Sequence, residues 1–284
     1  MKKDRIKKTL ASITINIIII IFIGIWIIPT LALFINSFRN RADMVTSGWW
    51  KAFLHPHKLT FSNYLYVLMH AGILRAFINS IIISIPATIL TVIIGAMAAY
   101  PISFYKFIGR MPIFIIFIIL QIIPIQITLI PVLRMLNVIN ISGNFISVWI
   151  AHTAYGLPFA IYLLRNFFAK IPKSLVESAE IDGAGRLLIF TKLILPLSIP
   201  VLITLSIFQF LWVWNDLLVS LVFLGGTPDV APLTVKITSM IGSLESGWHI
   251  KTASAFISMI LPLSVFLFLQ KYFIKGATAG AIKG

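Results

Sequence analysis

The chain has 284 residues, of which 59% are apolar and only 11% charged, with a net charge of +15 and no cysteine. A soluble domain of this size carries roughly 25% charged residues, so most of this chain is built for a bilayer rather than for water. The positive charge comes without a basic helix, a stacking aromatic surface or a zinc motif, which excludes a nucleic-acid partner. The missing cysteines exclude disulfides and thiolate chemistry.

The N-terminal MKKDRIKK is a basic patch, and residues 9–36 after it are free of charge. This run is too long for a signal-peptide core and is followed by no small-residue cleavage site, so it predicts an uncleaved first membrane span. Residues 37–75 are mixed in character and hold Trp49 and Trp50, whose indole rings favour the headgroup zone. Further apolar spans are predicted at 76–103, 112–133, 144–164, 197–221 and 252–270. None contains Lys, Arg or Glu, and their one acid is Asp216. Pro86, Pro124, Pro131, Pro158 and Pro262 fall inside spans, where simple kinks are expected because neighbouring helices re-satisfy the freed carbonyls. The fold class is therefore all-α: one polytopic membrane domain over 1–284 with six transmembrane helices. With the N-terminus inside, the inside segments hold 15 of the 23 Lys and Arg and the outside segments eight. That bias favours both ends in the cytoplasm, as six spans require.

The longest inside loop, 165–196, is also the only one with several acids. Pro172 suits the first turn of a short helix, Glu177, Glu180 and Asp182 follow, and Gly183 and Gly185 break it. A second helical pattern from Leu187 to Leu195 runs into Pro196. A headgroup-bound helix has a basic polar face. This one is acidic, which favours docking on a protein. Gly183 is expected at the turn, where a left-handed or closely approached backbone tolerates no side chain. Ala179 is expected to face the partner.

This loop resembles the cytoplasmic signature of ABC-importer permeases: Glu-Ala-Ala, three residues, Gly, nine residues, Ile, one residue, Leu-Pro. Here it reads Glu177-Ser178-Ala179, three residues, Gly183, nine residues, Leu193, Ile194, Leu195-Pro196. The departures, Ser178 for Ala and Leu193 for Ile, are conservative in size. The resemblance implies a coupling helix seated in a cleft of a cytoplasmic ATP-binding-cassette ATPase, with Glu177, Ser178, Ala179, Asp182, Gly183, Leu195 and Pro196 as its coupling residues. The terminal QKYFIKGATAGAIKG looks like the tail of sugar-importer permeases of the maltose and α-glucoside type. Alone it reads as a frayed glycine-rich end. The resemblance implies that Gly276, Thr278, Gly280, Lys283 and Gly284 reach toward the interface of an ATPase dimer. FQFLWVWNDLLVSLVFLGG, HTAYGLPFAIYLLRN and FINSIIISIPATI also look like the α-glucoside permeases. The family implies further partners: a second homologous permease, a periplasmic sugar-binding protein and the bilayer of the bacterial inner membrane.

The chain supplies no energy source of its own. It has no phosphate-binding loop, no H-E-x-x-H or other metal cluster, and no catalytic constellation within a span. His55 and His57 share a loop without a third ligand spaced to join them. No cofactor is expected, and ATP hydrolysis falls to a separate subunit. A secondary transporter would show two repeated halves and deep ion-coupling charges, and neither is present. A non-sugar solute stays open as the alternative cargo.

Candidate path residues lie within the spans. Trp212, Trp214, Asn215 and Asp216 stand near the outer end of the fifth span if it runs straight at about 1.5 Å per residue. Asp216 is then either a helix-end carboxylate in an interfacial belt or a hydroxyl-binding or gating acid beside aromatic rings. Asn79, Gln121, Gln126, His152, Thr153 and Tyr155 serve either as glue between helices or as lining of a transport path.

Overall fold

Proline and glycine decide where the apolar runs break. In the computed structural model, which describes residues 2–242 and 247–278, the described residues contain helices and turns but no strand. Side chains are described at 10, 12–241 and 247–270. Among the described residues, four helices are long and apolar enough to cross a membrane: Ser12–Ser37, Ile73–Phe104, Phe145–Phe168 and Trp248–Gln270. Two further helix pairs are long and apolar enough together but are sharply bent at a short break. Arg110–Leu120 and Ile125–Val138 meet at 106°, and Arg186–Leu197 and Ile199–Trp214 meet at 77°.

The first break corrects the expectation of a continuous, merely kinked span over 112–133. Pro124 is extended (ψ 127°) and ends the turn that follows Leu120. Pro86, Pro131, Pro158 and Pro262 stay inside continuous helices as expected. The second break falls at Ser198, where the span 197–221 is expected to begin after the helix from Leu187 to Leu195. Ser198 separates Leu197 from Ile199, and Pro200 follows without an N–H to carry the ladder across. The helix then stops at Trp214, well short of 221.

The chain divides into two compact units. The first comprises Met1–Ile73 and Met240–Ile257. It holds α1 (Lys2–Ser37), α2 (Arg41–Thr46) and α3 (Ser62–Met69), with two short 3-10 turns between the last two. Polar side chains fasten the end of α1 to α3. Asn63 Nδ2 donates to Ser37 O at 2.8 Å and to Arg39 O at 2.9 Å, and Tyr64 OH lies 2.6 Å from Ser37 Oγ. Arg39 is buried and spends its guanidinium on Asn36 Oδ1, Asp43 O and Ser47.

The second unit comprises Leu74–Ser239 and Ser258–Gly284. In chain order its helices are α4 (Ile73–Phe104), α5 (Arg110–Leu120), α6 (Ile125–Val138), α7 (Phe145–Phe168), α8 (Lys173–Ile181), α9 (Arg186–Leu197), α10 (Ile199–Trp214), α11 (Leu218–Leu224) and α12 (Leu233–Gly242). A last helix, α13 (Trp248–Thr278), contributes residues to both units. Helix α7 is central and packs on α5, α6, α10 and α11. Its start is set by Asn144, whose side chain accepts from the N–H groups of Ile146 and Ser147 at 2.9 and 3.2 Å. Small residues let helices approach it: a Cβ on Gly95 of α4 would stand 2.8 Å from Ala160 Cβ. One apolar core gathers Ala96, Tyr100, Ala160, Leu164, Phe168, Val176, Ile189 and Phe190. Another gathers Ile83, Leu129, Val148, Ala151, Val213 and Phe223.

Candidate functional site

The loop 165–196 forms the expected helix, turn and helix. Pro172 is extended ahead of α8, so the helix begins where the proline ring can no longer obstruct it. Gly183 closes α8 with φ +81°, the left-handed geometry that favours glycine. A side chain there would meet open space, so the requirement is conformational rather than steric. The N–H of Ala184 returns to Ala179 O at 2.9 Å and seals the turn.

Val176 is buried in the core formed by Phe168, Ile189 and Phe190, and it roots α8. Ala179, one turn on, is half-buried and packs on the same core. This corrects the expectation that Ala179 faces outward: i, i+3 spacing puts it on the same side as Val176. The outward positions are Glu177, Ser178, Glu180 and Asp182, with Leu175 between the acids and the core. Ile181 and Leu187 flank the turn and are 86% and 73% exposed, so the loop presents apolar side chains among carboxylates. Further on, α9 winds one π turn over Phe190–Ile194, a feature concentrated at functional segments. Leu195 packs inward and Pro196 is exposed just ahead of the 77° break. On the C-terminal tail, Gly280, Lys283 and Gly284 lie outside the described residues. Gly276 and Thr278 are described only as backbone of α13.

A second feature is a cavity of about 480 Å³ among α5, α6, α7 and α10. Gln121, Tyr155 and Trp212 line it together with Thr128, Phe159, Phe208 and Gln209, and no charged side chain does. The break after α5 places Gln121 at the rim. Tyr155 OH accepts from Thr128 Oγ1 at 3.1 Å. Gln209 is buried, and its Nε2 donates to His152 O at 3.3 Å. Its amide lies over Gly156, where an added Cβ would come within 2.6 Å of it. Gln209 and Thr128 were not singled out from the sequence. Both are polar residues inside otherwise apolar runs, and that signal was available.

The remaining path candidates separate. Asp216 does not end a straight fifth span. It sits in the turn after Trp214 and caps α11, accepting from Val219 N at 3.2 Å and Ser220 N at 2.9 Å. The carboxylate is also largely enclosed: its side chain is 10% exposed, and Oδ2 lies 3.6 Å from His152 Nε2, too long for a hydrogen bond but within ion-pair range. His152 is fully buried, neither ring nitrogen has a hydrogen-bond partner among the described residues, and its ring meets Trp212 edge-on at 5.2 Å. Asp216 and His152 thus form a buried pair behind the cavity wall. Trp214 is core, stacked on Phe210 and donating from Nε1 to Ser258 O at 3.0 Å. Asn215 bonds back to Leu211 O at 2.7 Å, and Gln126 is exposed away from the cavity lining. Asn79 is buried glue: its Nδ2 donates to Asp229 O and Ala231 O at 3.0 and 3.1 Å. Thr153 is buried and is not among the cavity's lining residues.

A multi-helix bundle with one glycine-broken helical loop and, on the central helix, a mainly apolar and aromatic cavity holding a few uncharged polar groups is the build of a solute permease. Residues 91–278 match the family of binding-protein-dependent transport system inner membrane components, and the chain belongs to that family. It is a multi-pass inner-membrane permease component of an ABC importer and not itself an enzyme. It is 50% identical to the osmoprotective compounds uptake permease protein GgtD of Synechocystis, over 96% of this chain and 92% of that one. It is 44% identical to the alpha-glucoside transport system permease protein AglG of Rhizobium meliloti, over 81% of this chain and 62% of that one. Its fold is that of a chain in a bacterial ABC transporter involved in the import of the acidic polysaccharide alginate, with a TM-score of 0.83, 24% identity, and 93% and 96% of the two chains covered.

Proposed function

We propose that this chain is the permease subunit of a sugar importer whose cargo is an α-glucoside or a related small glycoside. The names of the relatives support the sugar class. The cavity supports an uncharged, hydroxyl-rich cargo: aromatic rings of Tyr155, Phe159, Phe208 and Trp212 surround two amides, and no charge lines it. Aromatic faces cover the apolar faces of a sugar ring while amides exchange hydrogen bonds with its hydroxyls. Asp216 and His152 act from behind that wall by holding the break between α10 and α11 against α7.

Both termini and the loop 165–196 lie in the cytoplasm in this reading, which the bias of Lys and Arg supports. The loop meets one subunit of an ATPase dimer, and a second, similar permease completes the transport path. A periplasmic binding protein delivers the sugar. Helix α1 offers apolar side chains all round, which acyl chains and the second permease would cover. The observation that carries the coupling role is the loop's construction: Val176 and Ala179 root it in the permease core while Glu177, Ile181 and Leu187 stay exposed.

The test is Gly183→Val in the whole complex. A β-branched residue at φ +81° costs about 1–2 kcal/mol and re-aims the turn. The variant permease should insert at wild-type level yet carry less co-purified ATPase and lose most transport-linked hydrolysis. Wild-type retention of both would contradict the coupling role.

A further inference from the structure

Helix α4 is fastened at both of its ends to segments far apart in sequence. At one end Arg75, Asn79 and Ser80 converge on the stretch 229–233 that leads into α12. The Arg75 guanidinium lies 2.9 Å from Asp229 Oδ1, and its Nε donates to Asp229 O at 3.2 Å. Asn79 donates to the carbonyls of Asp229 and Ala231, and Ser80 Oγ accepts from Leu233 N at 2.8 Å. That N–H is one of the orphan donors at the start of α12, so α4 supplies the cap that α12 lacks.

Twenty residues further on, about 30 Å along the helix, Tyr100 OH donates to Arg186 O at 3.2 Å. It also shares a hydrogen bond of 2.7 Å with Tyr105 OH. The Arg186 guanidinium stands 4.6 Å from the centre of the Tyr105 ring, and the Phe190 ring lies 5.1 Å from Tyr100. Arg186 is the first residue of α9, directly after the Gly183 turn. Between the two ends α4 is an unbroken helix, held against α7 at the Gly95–Ala160 approach. An unbroken helix with hydrogen-bonded ends and a close-packed middle moves as one body, and rigid elements of this kind carry coupling between distant sites.

We propose that α4 is a strut that makes the outer segment 229–233 and the coupling turn 182–186 move together, with Arg75, Ser80, Tyr100 and Tyr105 as positioning residues. This rests on the orientation and coupling role proposed above. A change in the ATPase contact then reaches the outer segment without passing through the cavity. By reciprocity the same link carries the outer segment's state inward.

The test uses the complete complex, both permeases with the ATPase dimer, in nanodiscs. The chain has no cysteine, so Thr227→Cys places one thiol on the exposed stretch beside the strut's outer end. Its rate of reaction with a maleimide is measured without nucleotide and after trapping with ATP and vanadate. The Thr227→Cys complex should show a rate change of about fivefold or more, the size of ordinary site-to-site coupling. Adding Ser80→Ala or Tyr100→Phe should shrink the change below about twofold, within the range of uncoupled sites. Unstimulated ATP hydrolysis should hold in both, and Ser80→Thr should restore the response. Combining Ser80→Ala with Tyr100→Phe should do no more than either alone, since both changes interrupt one and the same path. Arg75→Gln, an exposed change, serves if Ser80→Ala fails to assemble. Full response in the assembled variants would overturn the strut. A complex that traps nucleotide yet shows no response at Thr227→Cys alone would overturn the coupling reading and the strut with it.

Discussion

Helices α1 and α7 are both apolar and long enough to span a bilayer, yet they live in different surroundings. Within Ser12–Ser37 the apolar 18-residue window has a mean hydropathy of 2.9 and none of it is buried, whereas the window within Phe145–Phe168 has only 1.3 and half of it is buried. The more apolar helix has the fewer protein neighbours. Acyl chains are as apolar as leucine, so apolarity alone draws no two membrane helices together. What gathers neighbours around α7 is a face of small and polar residues: Ala151, His152, Thr153, Gly156 and Ala160. Isoleucines fill most of α1 between Ile13 and Ile28, and a Cβ on its Gly24 would touch nothing within 4 Å.

The contrast breaks first at the α4–α7 approach. Gly95→Leu drives a branched side chain onto Ala160 Cβ, which has no flexible end to swing aside. Overpacking costs about 1–3 kcal/mol, and leucine falls toward the upper end. The yield of monodisperse permease in detergent should fall about tenfold or more, given about 1.4 kcal/mol per factor of ten. A yield equal to wild type would show that the close approach does not hold the bundle.

A smaller effect is expected behind the cavity. Asp216→Asn keeps an oxygen to cap α11 but removes the charge facing His152. The complex should assemble normally while sugar uptake slows. Asp216→Ala loses the cap as well and should destabilise the permease by about 1 kcal/mol more, read as a lower melting temperature. Wild-type uptake by Asp216→Asn would reduce the residue to a cap. The smallest effect belongs to α1: Gly24→Leu should leave yield and uptake within about twofold, as a lipid-facing substitution does. A large loss of assembly there would place a protein partner at Gly24.

What the sequence made legible was local. Gly183, Pro172 and the run from Leu187 to Pro196 specify a helix, a left-handed turn and a second helix through short-range geometry, and the loop forms as expected. The apolar runs were legible from composition: among the described residues four form helices long enough to cross a membrane, and the other two fall on bent helix pairs. The break at Pro124 was not, because apolar residues continue on either side of it and a hydropathy window averages across it. Proline gave no warning either, since most intraspan prolines, Pro86, Pro131, Pro158 and Pro262 among them, sit in intact helices. Counting 1.5 Å per residue placed Asp216 near an outer surface, whereas the chain turns after Trp214 and encloses it. Asn79 read equally well as path or glue because its carbonyl partners lie about 150 residues away. Ala179 was misdirected because a family signature records which residues recur, not which side of the helix meets the permease's own core.

The central claim is that the exposed face of α8 meets the ATPase, and cross-linking tests it most directly. Single cysteines at Glu177 and at Val176 in the cysteine-free chain, with a short bifunctional reagent, compare an outward and a buried position on one helix. In membranes holding the full complex, the Glu177→Cys variant should yield a permease–ATPase adduct and the Val176→Cys variant should not. Adducts from both or from neither would contradict the account.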